Sequence, residues 1–408
     1  MSAINSEKDL YNYRVLSRFK KKMVHISERE QELPELEIGK LLEIAVEHKE
    51  IISLGPGEPD FPAPKEIIAY TKKIADKVNH YSPPGGRKEL KEAIIKKLKK
   101  DNNIIAKPEN IVVTCGSQDA LMMAGACCLD AGEEIILPNP GYMAFLSTFE
   151  LFNAAPGFVE LKEEDGYTMN PEEIERQIVP RKTQAILINS PANPTGNVLS
   201  RKILEEIADI AVEHDLWIFS DEAYEKIVYD DAKHISIGSL NGMDEYTMTF
   251  QSLSKTAAMC GYRVGYVVAP EQMAHALKEV HVLTTICSPT ISQMLATKAL
   301  SLGDKYVKQM VKEYDRRRKL IIPRLNEMGI STPWPKGAFY AFGNITSFER
   351  SSKTFCLNML KKAKVAAVPG IDFGRFGEGH VRFSFATKYD RIEKALDRME
   401  KFMKHYKK

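Results

Sequence analysis

The sequence predicts an α/β protein: a large domain whose mostly parallel sheet is covered by helices on both faces, and a smaller α+β domain formed from the N-terminal segment and the C-terminal third. Three observations predict it. Between about residue 110 and residue 270, short Val- and Ile-rich runs alternate with helix-like stretches, the pattern of strands buried on both faces. After residue 303 the pattern changes to long amphipathic helices with a few strands between them. At 408 residues and 44% hydrophobic content, the chain is long enough for two domains with proper cores. The large domain is expected over 51–302, and the small one over 1–50 together with 303–408.

The elements follow in order. Ile38, Leu41, Leu42 and Ala45 keep helical spacing, so "EIGKLLEIAVEHK" predicts an amphipathic helix. "SLGPGEPDFPAP", with Gly55, Pro56 and Gly57 in succession and prolines at 59, 62 and 64, breaks regular structure and brings backbone close to something. "HYSPPGGRKEL" is a second such loop, leading into a helix from about Arg87. The expected strands are "NIVVT", "EEIILP", "QAILINS", "LWIFSDE", "TMTFQS" and "VGYVVAP". Beyond them come a charged helix around 304–328, "AFYAFGNI", a helix near 352–363, "KVAAVPG", "HVRFSFA" and a closing helix. No repeat or low-complexity linker separates the two halves.

Composition narrows the function classes. Fifty-seven basic residues against fifty-five acidic ones leave a formal charge of +2, so no global field favours nucleic acid or anionic lipid, and any anion site must be local. The lysine-rich pieces "RFKKKM" and "KFMKHYKK" read as solvated helix faces and termini. Six cysteines without metal-ligand spacing suit a reduced, cytoplasmic chain. The first residues have no apolar core of a signal peptide, and no stretch nears the roughly 18 apolar residues of a membrane span, so neither export nor insertion is expected.

The chemistry concentrates in "SLSKTAAMCGYRVGY". Lys255 follows a strand-like run and precedes small residues, and a lysine in an apolar site has its pKa lowered and its amine freed as a nucleophile. Read alone, it is equally a lysine reaching from a strand end to water. Ser252, Ser254 and Arg263 around it offer hydroxyls and a guanidinium fork suited to a phosphate. "VVTCGSQDALMMAG" has the order strand, glycine turn, helix, which points the amides of Ser117 and Gln118 at an anion, although such turns recur throughout α/β proteins. Asp221, at the end of the buried-looking strand of "LWIFSDEAYEKIVYD", needs a cation or is a helix N-cap; a protonated pyridine nitrogen is such a cation. Asn193 lies in the rigid turn "NSPANPTGN", where its amide is held at a fixed angle or simply makes the turn.

"SPANPTG", "SDEAYEKIVYD", "SLSKTAAMCGYRVGY" and "HVRFSFA", in that order, resemble the class I aminotransferases among the fold-type-I pyridoxal phosphate enzymes, and the likeness runs from "SLGPGEPDF" to "RFSFA". It implies that Lys255 forms the Schiff base with pyridoxal 5'-phosphate and then moves the proton between substrate and cofactor. Asp221 would pair with the pyridine nitrogen, and Asn193 and Tyr224 would bond the cofactor's phenolic oxygen. Ser117, Gln118, Ser252, Ser254 and Arg263 would hold the phosphate, and Tyr142, in "NPGYMAF", would stack on the ring. Arg382 would clamp the substrate α-carboxylate, helped by Asn193 and by backbone at Gly57. Tyr81 matches a tyrosine that reaches the phosphate of the neighbouring subunit's cofactor, which implies a homodimer; by itself, an aromatic beside Pro-Pro-Gly-Gly is ordinary loop packing.

The function so implied is transfer of an amino group from an L-amino acid to a 2-oxo acid, 2-oxoglutarate or pyruvate, by a ping-pong mechanism. Some aspartate-preferring members carry a lysine in the turn after the cofactor-binding strand, and the matching place here is Gln118. That favours neutral donors, alanine or aromatic amino acids, with aspartate still open. Two rival readings are a β- or γ-eliminating lyase on the same fold and a non-catalytic ligand-sensing regulator. The second needs a nucleic-acid-binding module, for which the first fifty residues are too short and too balanced in charge.

Overall fold

The structure is a computed structural model and describes Ile26, Ser27, Ile44 and residues 47–406. The helix expected through Ile38, Leu41, Leu42 and Ala45 lies outside the described residues, while Ile44 and Glu47 are helical. Twelve strands follow in chain order: β1 (Ile52–Ser53), β2 (Ile111–Thr114), β3 (Glu134–Asn139), β4 (Ala155–Glu160), β5 (Thr183–Asn189), β6 (Trp217–Asp221), β7 (Thr247–Ser252), β8 (Gly265–Val268), β9 (Tyr340–Asn344), β10 (Val365–Ala366), β11 (Val368–Pro369) and β12 (His380–Ser384).

Seven of these form one sheet in the order β2-β8-β7-β6-β5-β3-β4. β4, β3, β5, β6 and β7 run parallel, and β8 runs antiparallel to both of its neighbours. Alternation along the strands divides their side chains between two cores. Ile135, Leu137, Leu187 and Phe219 pack with Leu121 and Ala124 of the helix Ser117–Cys128, whereas Ile136, Ile186, Ile188 and Ile218 pack with Leu204 and Ile207 of the helix Arg201–Glu213. Each such fully buried aliphatic side chain contributes about 1.5–3 kcal/mol relative to exposure. A one-residue slip would exchange the two sets, so both helical layers hold the register.

A three-stranded antiparallel sheet, β11-β12-β9, belongs to the C-terminal part, and β1 pairs with β10 in a parallel ribbon. A further core gathers Val307, Tyr314 and Ile321 of the helix Lys305–Glu327, Phe355 of the helix Ser352–Ala363 and Leu396 of the helix Tyr389–Lys404. Ile52 and Leu54, from the start of the Gly-Pro loop, pack in this core and not under the large sheet.

Two details differ from the sequence reading. β4 was not among the expected strands: it is a half-exposed edge carrying Pro156 and Gly157, and both weaken a strand signal. "KVAAVPG" is two strands in two different sheets, because β10 turns to β1 and β11 to β12.

The parallel pairing sets the position of the functional site. β5, β6 and β7 end at Asn189, Asp221 and Ser252, with Asn189 opposite Asp221 and Asp221 opposite Phe250. In an open α/β sheet, ligands bind beyond the carboxyl ends of such strands.

Candidate active site

A cavity of about 580 Å³ opens at that edge, and every site residue expected from the sequence except Tyr81 lines it. Lys255 stands on the single helical turn Leu253–Thr256 that follows β7, with the Ser252 hydroxyl accepting the Ser254 amide at 3.2 Å. Its Nζ donates to the Gly57 carbonyl at 2.5 Å, which ties the strand end to the Gly-Pro loop. Burial lowers the Lys255 pKa below the usual lysine range, and the Arg382 and Arg263 guanidinium groups push it the same way. A shift in this direction favours the neutral, nucleophilic amine.

Asp221 is 6% exposed. Burial drives its carboxyl up to about 6, although the Ala223 amide, donating to Oδ1 at 3.1 Å, and the Lys255 charge both favour the ionised form. A cation arriving in the cavity would restore full ionisation. Asn193 accepts from Arg382 Nη1 at 2.9 Å, and its amide donates to Asn189 Oδ1 at 2.8 Å; Asn189 in turn donates to the Asp221 carbonyl at 3.1 Å. Arg382, on β12, is 2% exposed and reaches the Gly55 carbonyl at 2.7 Å through Nη2. Its buried Nε has no hydrogen-bond partner among the described residues, so the guanidinium retains donor capacity. Arg382 therefore bridges the small sheet, the Asn193 turn and the Gly-Pro loop.

Another part of the cavity wall is built for an anion. Gly116 has φ +99°, and a Cβ there would come within 2.8 Å of Arg263 Nη2, so only glycine lets the guanidinium pass this close. Arg263 donates to the Cys260 and Cys115 carbonyls at 2.9 and 3.2 Å. Ser117 opens the 12-residue helix Ser117–Cys128, whose first amides and dipole favour negative charge. Gln118 donates to Thr148 Oγ1 at 2.6 Å and leaves Oε1 buried without a partner among the described residues. Tyr142 also lines the cavity, its hydroxyl pKa raised by burial.

Tyr81 does not line the cavity of its own chain; it is 79% exposed. Its loop is held by Ser82 to Thr290 at 2.9 Å and by His281 to the Pro84 carbonyl at 3.0 Å. His281, wholly buried, also lies 3.3 Å from Asp119 Oδ2, and the same oxygen accepts the Cys115 amide at 2.8 Å. Burial opposes a charged imidazole, yet the Asp119 carboxylate, Cys115 and the Pro84 carbonyl hold its pKa up to about 10. This folded value lies above the unfolded one of about 6.5. The contribution to stability is therefore full below about pH 6.5 and fades as pH rises towards 10. Denaturant unfolding from pH 6 to pH 10 should show the stability gap between the wild type and His281→Gln narrowing with pH; a constant gap would refute the imidazolium.

Behind Asp221 and Tyr224 lies a second buried polar cluster. Glu225 pairs with Lys97 at 2.5 Å and accepts from Asn102 and Gln251 at 2.7 and 3.1 Å. Glu222 accepts from Ser220, Ser236 and Gln251 at 3.0, 2.6 and 3.0 Å and lies 3.0 Å from His234 Nε2. Burial would raise the Glu225 pKa, but Lys97, His234 and Asn102 bring it below the ordinary carboxylate value.

The sequence reading missed three participants. Tyr340, on β9, meets the Tyr224 hydroxyl at 2.6 Å; Gly55 supplies a carbonyl to Arg382; Cys260 Sγ lies 4.0 Å from Lys255 Nζ. A tyrosine on a strand of otherwise apolar and small residues was the one readable signal, since a buried phenol needs a partner.

Comparison with known proteins places this geometry. The family model for aminotransferases of class I and II matches residues 49–399. The chain is 48% identical over 375 residues to an aspartate aminotransferase of Pyrococcus abyssi, covering 91% of this chain and 96% of that protein. It is 45% identical over 386 residues to aromatic-amino-acid aminotransferase 2 of Thermococcus litoralis, covering 94% and 99%. The crystal structure of an aromatic aminotransferase from Pyrococcus horikoshii OT3 superposes with a TM-score of 0.85 at 47% identity, over 90% of this chain and 98% of that one. The Thermus thermophilus aspartate aminotransferase with maleate gives 0.89 at 32% identity, over 93% and 100%.

Proposed function

The chain belongs to the class I and II aminotransferases, and on that premise we propose that its cavity serves neutral amino donors, aromatic amino acids and alanine, in preference to aspartate. The enzyme is a pyridoxal 5'-phosphate-dependent aminotransferase moving the amino group of an L-amino acid to a 2-oxo acid. The lyase and sensor readings are set aside. No helix among the described residues is long and apolar enough to cross a membrane.

The residues present fit the cofactor: a buried carboxylate short of a cation, a glycine cradle beside a guanidinium, and an amine with lowered pKa. When bound, pyridoxal phosphate supplies the aldehyde that takes up the amino group and the ring that accepts an electron pair. In this reading, Asp221 holds the pyridine nitrogen protonated, and Asn193 and Tyr224 face the phenolic oxygen. Tyr142 covers the ring, while Ser117, Gln118, Ser252, Ser254 and Arg263 anchor the phosphate. Arg382 binds the donor's α-carboxylate, its orientation set by Asn193 and the Gly55 carbonyl. Once its amine is free, Lys255 would carry the proton from the donor's α-carbon, with the Gly57 carbonyl, which Nζ reaches at 2.5 Å, positioned to accept its hydrogen bond.

A charge count carries the preference for neutral donors. The cations lining the cavity among the described residues are Lys255, Arg263 and Arg382, and each already has a task. A side-chain carboxylate would find none of them free and would meet Glu58 on the same wall. Pro56, Met143 and Tyr340 provide apolar wall instead.

The test is to add single amino acids anaerobically to the holoenzyme and follow the cofactor's absorption band. Aromatic donors and alanine should convert it with a specificity at least about tenfold above aspartate, the equivalent of roughly 1.4 kcal/mol. Faster conversion by aspartate would overturn the charge count and point to a cation from a second subunit. With each donor fixed, pyruvate and 2-oxoglutarate are compared as acceptors.

Further assignments support this reading. A homodimer with shared sites accords with the exposure of Tyr81 (79%), on its loop, and of Leu283 (85%), in the last turn of the helix Glu271–Thr284 whose His281 holds that loop. A small domain over 303–408 accords with the separate sheet and core there, while β1, paired with β10, and Leu54, packed in the same core, favour a start of the large domain a few residues later than 51. Six unpaired cysteines suit a cytoplasmic site of action.

A further inference from the structure

The scheme above uses Tyr340 only as wall, yet the residue sits at its centre. It is 1% exposed, its hydroxyl lies 2.6 Å from that of Tyr224, and the two rings meet edge to face with centroids 5.7 Å apart. The Arg382 guanidinium lies over the Tyr340 ring at 4.4 Å, and a Cβ on Gly57 would come within 3.0 Å of the Tyr340 hydroxyl. One side chain thus touches the phenol, the substrate clamp and the loop that holds Lys255.

A phenol has one hydrogen to give. When two buried phenols face each other, one donates and the other accepts, and the acceptor's hydrogen remains available for a third group. We propose that Tyr340 is a positioning residue for the transamination: it donates to Tyr224, so that Tyr224 in turn donates into the cavity towards the cofactor's phenolic oxygen. The inference rests on the reading that Tyr224 faces that oxygen. The opposite order would leave Tyr224 able only to accept, and an acceptor repels a phenolate. Donors in a chain polarise one another, so Tyr340 also strengthens the bond that Tyr224 makes. Stabilising negative charge on the phenolic oxygen weakens its hold on the neighbouring nitrogen's proton, and the pH at which the bound cofactor's spectrum changes falls accordingly.

The charged and titratable groups facing the pair are Arg382 from β12, Tyr142 and Cys260, with Lys255 over the Tyr224 ring at 6.0 Å and Asp221, Arg263 and Glu58 on the same cavity wall. Tyr340→Phe changes none of them and keeps the ring beneath Arg382.

The experiment titrates the absorption band of the holoenzyme with pH for the wild type, Tyr340→Phe, Tyr224→Phe and the double variant. Tyr340→Phe should raise the midpoint by roughly half to one pH unit, a three- to tenfold change in proton affinity. Tyr224→Phe should raise it further, and Tyr340→Phe should add nothing in that background. An unmoved midpoint in Tyr340→Phe with a moved one in Tyr224→Phe overturns the role of Tyr340 and leaves that of Tyr224 intact. Midpoints unmoved in both show that Tyr224 does not face the phenolic oxygen, and the inference falls with it. A shift of equal size in both backgrounds means that Tyr340 acts without Tyr224, which also overturns it. Should Tyr340→Phe fold poorly, site-specific 3-fluorotyrosine at 340, a stronger donor of nearly the same shape, should move the midpoint down; no movement or a rise overturns the proposal.

Discussion

Replacing Lys255 with alanine is expected to slow transamination by roughly 10²–10⁴-fold, the range that a positioned general base supplies. It should also end covalent retention of the cofactor. The argument is one of exclusion within the cavity. Its other cations among the described residues are Arg263 and Arg382, and a guanidinium neither deprotonates near neutral pH nor attacks an aldehyde. Lys255 is the amine with a lowered pKa, and its contact with the Gly57 carbonyl shows where Nζ rests. Two measurements check this. After borohydride treatment, the mass of the wild-type chain should rise by one cofactor and that of the variant should not. Methylamine added to the variant should recover part of the rate, because a free amine can take the missing base's place. Turnover by Lys255→Ala at the wild-type rate would end the assignment.

The second large effect is on stability and reaches the site from behind. Lys97→Met leaves Glu225, 7% exposed, as a buried carboxylate without its cation, and loss of one partner from such a pair costs about 3–5 kcal/mol. Asn102 and Gln251 still donate to Glu225, but hydrogen bonds do not supply the missing charge. The pair Lys97→Met with Glu225→Gln should recover most of the loss, since a neutral pair of similar volume no longer buries a lone charge. Because Glu222 and Glu225 bracket Ala223 and Tyr224, the single variant should also weaken cofactor binding. Urea midpoints for the wild type, both single variants and the double variant test the coupling. Additive losses in the cycle would show that the pair is not energetically joined.

The parts of the site legible in the sequence are those whose chemistry lies in one short segment. Lys255 with Ser252, Ser254 and Arg263 occupies a dozen residues, and the spacing from strand end through one helical turn already brings hydroxyls, amine and guanidinium together. Asp221 was legible because a carboxylate closing a buried, mostly apolar strand demands a partner. Tyr340 was not, because its meaning lies in a contact with Tyr224, 116 residues earlier. The Lys97–Glu225 pair joins the helix Lys88–Lys97 to the segment after β6, and no periodicity in either stretch marks it.

The same division holds for the fold. Alternating apolar runs between 110 and 270 determined an α/β core, and the four ordered motifs determined the family and its cofactor; both follow from local patterns, since burial on two faces and phosphate binding at a strand-to-helix turn act over a few residues. Only the tertiary structure decided that β8 runs antiparallel, that "KVAAVPG" divides between two sheets, and that Arg382 reaches across 189 residues to Asn193 and across 327 to Gly55. The reason is physical: a strand's direction and a guanidinium's partners depend on which surfaces remain unsatisfied once the rest of the chain has packed, and those surfaces come from segments far apart in the sequence.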